Sequence, residues 1–265
     1  MNRPLPLFRR SILDGWRGLL GWSIGLAAAL MLYLPLYPSF GGAGEMQALL
    51  DSLPPELIRA LDYDQIATGA GYAQATFYGL IGFALGTIAA VGWGTGAIAN
   101  DEENGQLELV LAHGVIRGQL LAERAAAVFV KLLWLVVLSA LVVLGLNEPS
   151  ELGIEVGPLV AISVAYFGLI ALAAGASIAV GAMTGRRSWA LGAGTGVAVA
   201  AYALNAVGNQ SEDLRWLHDW SPYSWAYGDQ PLLDGWSPAI WLNLAVIAVL
   251  LVLGWLVFRR RDLAV

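Results

Sequence analysis

Residues Ala125 to Leu146 read AAAVFVKLLWLVVLSALVVLGL. At about 1.5 Å per residue this run is roughly 33 Å long as a helix, enough to cross a hydrocarbon core about 30 Å thick. Its apolar residues are continuous, without the alternation of a barrel strand. The one charge in it, Lys131, lies near one end, where the stem can snorkel to the headgroups. Five more stretches share this character: Gly18 to Tyr37, Gln74 to Ala99, Pro158 to Thr184, Trp189 to Gly208 and Ser237 to Val257. Lys131 is the only charged side chain among the six. The expected fold is therefore an all-α integral membrane protein with six transmembrane helices. No repeat, low-complexity tract or linker divides residues 1–265, so a single membrane domain is expected.

Composition points the same way. Hydrophobic residues make up 58% of the 265 residues and charged residues 13%, against about 45–50% and 25% in soluble domains. No soluble interior of this size could hold so much apolar sequence. The absence of cysteine excludes disulfide scaffolds, thiol catalysis and cysteine-ligated metal. A net charge of −6 leaves no basic surface for nucleic acid.

Basic residues orient the spans. With the N-terminus inside, twelve basic and seven acidic residues lie on the cytoplasmic side, a net +5. Two basic and thirteen acidic residues lie outside, a net −11. Both termini are then cytoplasmic. The first run is about 20 residues long and lacks a clean cleavage site, so it reads as a span and not as a signal peptide.

Three segments outside the spans carry patterns of their own. Along Leu5 to Leu20, residues Leu5, Phe8, Ile12, Trp16 and Leu19 share one helix face opposite Arg10, Asp14 and Arg17. This predicts an interfacial helix, either a plain anchor or a relay into the first span. The acidic loop Pro38 to Gly71 places Leu49, Leu53, Leu57 and Leu61 at helical spacing and predicts short surface helices. Asn209 to Trp236 carries Trp216, Trp220, Trp225 and Trp236 among acids and prolines. Short re-entrant or interfacial helices before the sixth span fit it, as an aromatic belt or as an exit gate.

The loop between the second and third spans holds Asn100-Asp101-Glu102-Glu103-Asn104-Gly105-Gln106-Leu107-Glu108-Leu109-Val110-Leu111-Ala112-His113-Gly114-Val115-Ile116-Arg117. The acids suit a helix N-terminus. Leu107, Val110 and Leu111 form one apolar face, and Gly114 supplies a stop. The expectation is a short amphipathic helix whose exposed apolar face, beside Glu108 and Arg117, could dock a protein or simply be a solvated loop helix.

The run Glu103-x-Gly105-x-Leu107-Glu108-x-x-Leu111, followed by Arg117, resembles the permease subunits of type-two ABC exporters. In that family a Glu-x-Gly-Thr-Leu-Glu loop precedes a Pro-Val-Ser/Thr-Arg turn. Here Gln106 stands where threonine is usual, Gly114-Val115-Ile116-Arg117 replaces the proline-containing turn, and Glu123-Arg124 occupies a place where lysine is frequent. Ser221-Pro222-Tyr223-Ser224-Trp225 and Phe258-Arg259-Arg260-Arg261-Asp262-Leu263 are also similar to family elements. The resemblance implies a coupling helix seated on a separate ABC ATPase, with Glu103, Gly105, Leu107, Glu108, Leu111 and Arg117 forming or supporting the contact. It also implies two ATPase copies and a second permease copy, identical or similar, in a bacterial cytoplasmic membrane. The chain would hold no cofactor, with ATP and Mg on the partner. In agreement, it lacks a Gly-x-x-x-x-Gly-Lys-Ser/Thr loop.

Spans two and five are the most polar and glycine-rich. In the family, spans one, two and five of two protomers meet around a path, so Gln74, Tyr78, Thr195, Tyr202 and Asn205 are candidates to line it. Their other reading is hydrogen bonding to nearby backbone. Gly82 with Gly86, and Gly192 with Gly196, are pairs that allow close helix approach. The spans hold no carboxylate or arginine to mark an ion path, which favours a drug, antimicrobial peptide or lipid-like amphiphile as cargo. An ATP-independent channel or carrier is the alternative. A membrane-embedded enzyme is disfavoured because His113 and His218 lie outside the spans.

Overall fold

The computed structural model describes residues 5–40, 52–54, 56–58, 66–107, 110 and 114–261. Helix α1 (Pro6–Asp14) is followed by α2 (Trp16–Tyr33), which runs on as a 3-10 helix, Leu34–Phe40. Next come α3 (Gly69–Ala97), α4 (Ala99–Glu103), α5 (Arg117–Asn147), α6 (Val156–Thr184) and α7 (Arg187–Gly208). A 3-10 helix, Glu212–Trp220, then leads to α8 (Pro222–Tyr227) and α9 (Ile240–Phe258). No strand occurs among the described residues. Six helices are long and apolar enough to span a bilayer: α2 with its 3-10 extension, α3, α5, α6, α7 and α9. Most of the surface loop Pro38 to Gly71, including Leu49 and Leu61, lies outside the described residues.

Helix α6 is the hub. In its apolar window 78% of residues are buried, and α3, α5, α7 and α9 all pack on it. Small residues let them come close. A methyl group on Gly94 of α3 would stand 2.8 Å from the Ala174 carbonyl oxygen, and one on Gly254 of α9 would stand 2.9 Å from Ala179 Cα. Between lipid-facing helices such contact replaces a hydrophobic driving force that lipid cannot supply. By contrast less than a third of the apolar window is buried in α2, α7 and α9, so their outward faces meet lipid or another chain.

The amphipathic segment is two helices, not one over Leu5 to Leu20. The chain breaks at Gly15, where a Cβ would lie 2.9 Å from Ser11 O and 3.3 Å from Lys131 Nζ. Helix α1 lies against α5, with Leu7 and Phe8 bonded to Glu123 and Gly15 beside Lys131. Trp16 and Leu19 thus belong to the first span. Lys131 is buried, 7% exposed, beneath this elbow.

Candidate functional site

At the end of the bundle where the described chain starts and finishes, charged side chains hold the ends of neighbouring helices. The first N–H groups and last carbonyls of a helix lack intrahelical partners and carry partial charge, positive at the N-terminus and negative at the C-terminus. Glu123, 4% exposed, accepts from the backbone N–H groups of Leu7 (2.7 Å) and Phe8 (3.0 Å) at the start of α1. Glu103 accepts from Arg187 N–H (2.7 Å) at the start of α7. Arg124 donates to the Ala97 carbonyl (2.8 Å) at the end of α3. Arg117 donates to the carbonyls of Phe258 (3.0 Å) and Arg261 at the end of α9. Each sign matches the dipole it meets.

The consecutive acids after α3 fan out to three spans. Asp101 pairs with Arg124 of α5 at 2.5 Å. Glu102 pairs with Arg261, just beyond α9, at 2.6 Å. Glu103 holds the start of α7. Asp101 and Glu102 stand in the first turn of α4, as the dipole argument expects, but their partners come from elsewhere in the fold. Gly105 and Gly114 take the left-handed backbone, with φ of +68° and +82°, which suits residues without a Cβ.

Of the docking candidates, Glu103 and Gly105 are exposed and Arg117 is half-buried, turned onto α9. Leu107 is fully buried in the core and Val110 packs against it. The described part of the loop's apolar face therefore points inward. Glu108 and Leu111 lie outside the described residues. Exposed at this tip are Asn104, Gly105, Gln106, Gly114 and Ile116, the last 69% exposed. Sequence reading passed over Ile116, whose signal was a large apolar residue between a turn glycine and Arg117. It also missed Glu123 as a holder of α1. That signal was a carboxylate at the foot of an apolar span, one turn after Gln119, which bonds to it at 2.7 Å.

The path candidates separate. Gln74 and Tyr78 are buried inside the chain, and Gln74 Oε1 accepts from the Leu232 N–H at 2.9 Å. Asn205 is buried, its Oδ1 accepting from the Ser224 hydroxyl at 2.7 Å. Tyr202 is half-buried against Phe83 and Tyr223. Thr195 alone is exposed. It lies beside Gly192 and Gly196, where a Cβ would have no neighbouring atom within 4 Å. Gly86 does allow close approach, since a Cβ there would collide with the Tyr166 hydroxyl. On α3 the exposed residues Ala84, Ile88, Gly92 and Gly96 continue the open surface.

The Ser221-Pro222-Tyr223-Ser224 element organises the opposite end. Ser221 caps α8, accepting from Ser224 N–H (3.1 Å) and donating to the Ala201 carbonyl (2.7 Å), with Pro222 at the first helical position. Tyr223 donates to the Gly79 carbonyl at 2.9 Å. Nearby, Trp216, Trp220 and Trp236 are exposed.

No curated protein matches the chain at a significant level. A family described as ABC-2 family transporter protein matches residues 5–263. With six apolar spans and this match over nearly its whole length, the chain is a multi-pass membrane protein that belongs to the ABC-2 transporter family, whose permeases associate with an ABC ATPase.

Proposed function

We propose that the chain is the permease half of an ATP-driven exporter, and that the loop after α3 receives the stroke of the ATPase. The observation that carries this reading is the fan of Asp101, Glu102 and Glu103 to Arg124, Arg261 and the α7 N-terminus. A push on the loop is thereby delivered to α5, α7 and α9 together. Gly105, Gln106 and Ile116 offer the exposed contact, to which the family resemblance adds Glu108 and Leu111. Glu103, Leu107 and Arg117 support it from behind. Two ATPase copies, carrying ATP and Mg, drive two permease copies whose α2, α3 and α7 faces enclose the path. In that assembly the basic end faces the cytoplasm of a bacterium, and the cargo is a drug, an antimicrobial peptide or a lipid-like amphiphile. Thr195 is the path candidate open to cargo in a single chain, while Gln74, Tyr78 and Asn205 hold the wall in shape.

The test is copurification of the tagged chain from its native membranes in mild detergent. A stoichiometric nucleotide-binding partner is expected, and it should be lost on Ile116→Asp, Leu111→Asp or Glu108→Arg while the chain stays folded. A lone oligomer that conducts solute in liposomes without ATP would establish the channel alternative instead.

A further inference from the structure

Between α1, α3, α5 and the loop lies a cleft of about 750 Å³, within the usual size of ligand sites. Its wall includes Arg10 and Asp14 from α1, Trp93 from α3, Asp101 from the loop, and Arg124 and Lys131 from α5. Four of these charges cancel in pairs. Arg124 pairs with Asp101 at 2.5 Å and Arg10 with Asp14 at 3.3 Å. The fifth does not. Lys131, the only lysine of the protein, is more than nine-tenths buried, and among the described residues its ammonium meets no carboxylate, only the Trp93 ring at 5.0 Å. An ammonium at the wall of such a cleft, on a buried stem and without an anion, has lost part of its hydration, and the cation–π contact replaces only part of that loss. Among the described residues the cleft thus carries one positive charge with no carboxylate partner.

Its depth fits a lipid. Trp93 is one turn from the end of α3 at Ala97, the level at which indoles meet headgroups. Gly92, Val128 and Leu7 give the cleft wall an apolar part, and Gly92 and Gly96 open onto the exposed face of α3. We propose that this cleft binds the monoanionic phosphodiester headgroup of a phospholipid, with Lys131 as its counter-ion, Arg10 at the mouth, and the acyl chains along α3. A phosphodiester supplies the one negative charge that the residual one positive charge calls for. Such binding depends on membrane insertion alone, not on the ATPase or the dimer.

Native mass spectrometry of the full chain, delipidated in neutral detergent in the assembly in which it purifies, tests it. One phosphatidylglycerol per chain should be retained, about fivefold or more tighter than phosphatidylcholine, as one charge near a membrane surface provides. Lys131→Met should abolish the preference and Lys131→Arg should keep it. Two exposed variants guard against misfolding: Arg10→Gln, which leaves Asp14 unpaired, should weaken the preference, and Asp14→Asn, which frees Arg10, should strengthen it. Equal binding of the two lipids, or an unaltered preference in Lys131→Met, overturns the site. Displacement by glycerol 1-phosphate at concentrations comparable to the lipid would reassign it to a soluble phosphate ester and overturn the lipid reading.

Discussion

Glu102 shows how much one side chain holds at this end of the bundle. Its side chain is 6% exposed and that of its partner Arg261 is 19% exposed. Truncation of either leaves a charge buried without its counter-ion, which costs about 3 kcal/mol where burial is deep and less here, since Arg261 retains some solvent. Glu102→Ala should lower the unfolding midpoint in detergent by several degrees, whereas Glu103→Gln, at an exposed site that keeps its acceptor oxygen, should change it by much less. Both substitutions should weaken coupling if the fan of acids transmits force, so ATPase stimulation by cargo is the second readout. At Gly105, φ of +68° makes Gly105→Val unfavourable by about 1–2 kcal/mol, read as lower stability of the loop in hydrogen exchange.

Among the elements, α3 is the least regular and the most informative. Residues Gln74–Ile81 form a π-helix, whose wider ring shifts carbonyls off the ordinary ladder. Hydroxyls from other helices take up two carbonyls here: Tyr223 donates to Gly79 O (2.9 Å) and Tyr166 to Gly82 O (2.7 Å). Phe77, Tyr78 and Tyr166 pack edge to face around this turn, and Tyr223 joins it to Tyr202 and Tyr227. Tyr166→Phe and Tyr223→Phe should each cost about 0.6–1 kcal/mol, the usual worth of such a bond between membrane helices. Burial holds the Tyr227 phenol well above its ordinary pKa, so it stays protonated and neutral. Where α3 meets α6, Gly94→Leu should prevent close approach and be far more damaging than Gly92→Leu on the open face.

On the scale of the whole molecule, the open faces of α2, α3 and α7 determine what assembly can do. Gly21, Gly25, Gly92, Gly96, Gly192 and Gly196 all have free space where a Cβ would stand. A two-fold pair brings residues near the axis against their own copies. With no native cysteine, Thr195→Cys reports this cleanly. It should crosslink to a dimer in membranes, whereas Val249→Cys on the exposed face of α9 should not. A crosslink at Val249→Cys but not at Thr195→Cys would move the interface to α9 and remove Thr195 from the path.

The spans and their number were legible because the cost of placing charge in hydrocarbon and the length of an apolar run are local properties. The stop at Gly114 was legible for a similar reason, since left-handed backbone favours glycine wherever it occurs. The tertiary structure alone decided which way each pattern faces. Leu107 and Val110 made an amphipathic face by spacing, yet that face packs inward. Gly82-Gly86 and Gly192-Gly196 look alike in sequence, yet Gly86 meets α6 and the second pair meets no part of the chain. Glu102 finds Arg261 across 159 residues and Glu123 finds Leu7 across 116. Periodicity marks which residues share a side of a helix, but the partner of that side is set by how the other apolar spans sort around α6 and one another. That sorting depends on close approach and on charges meeting helix ends, and both are three-dimensional quantities.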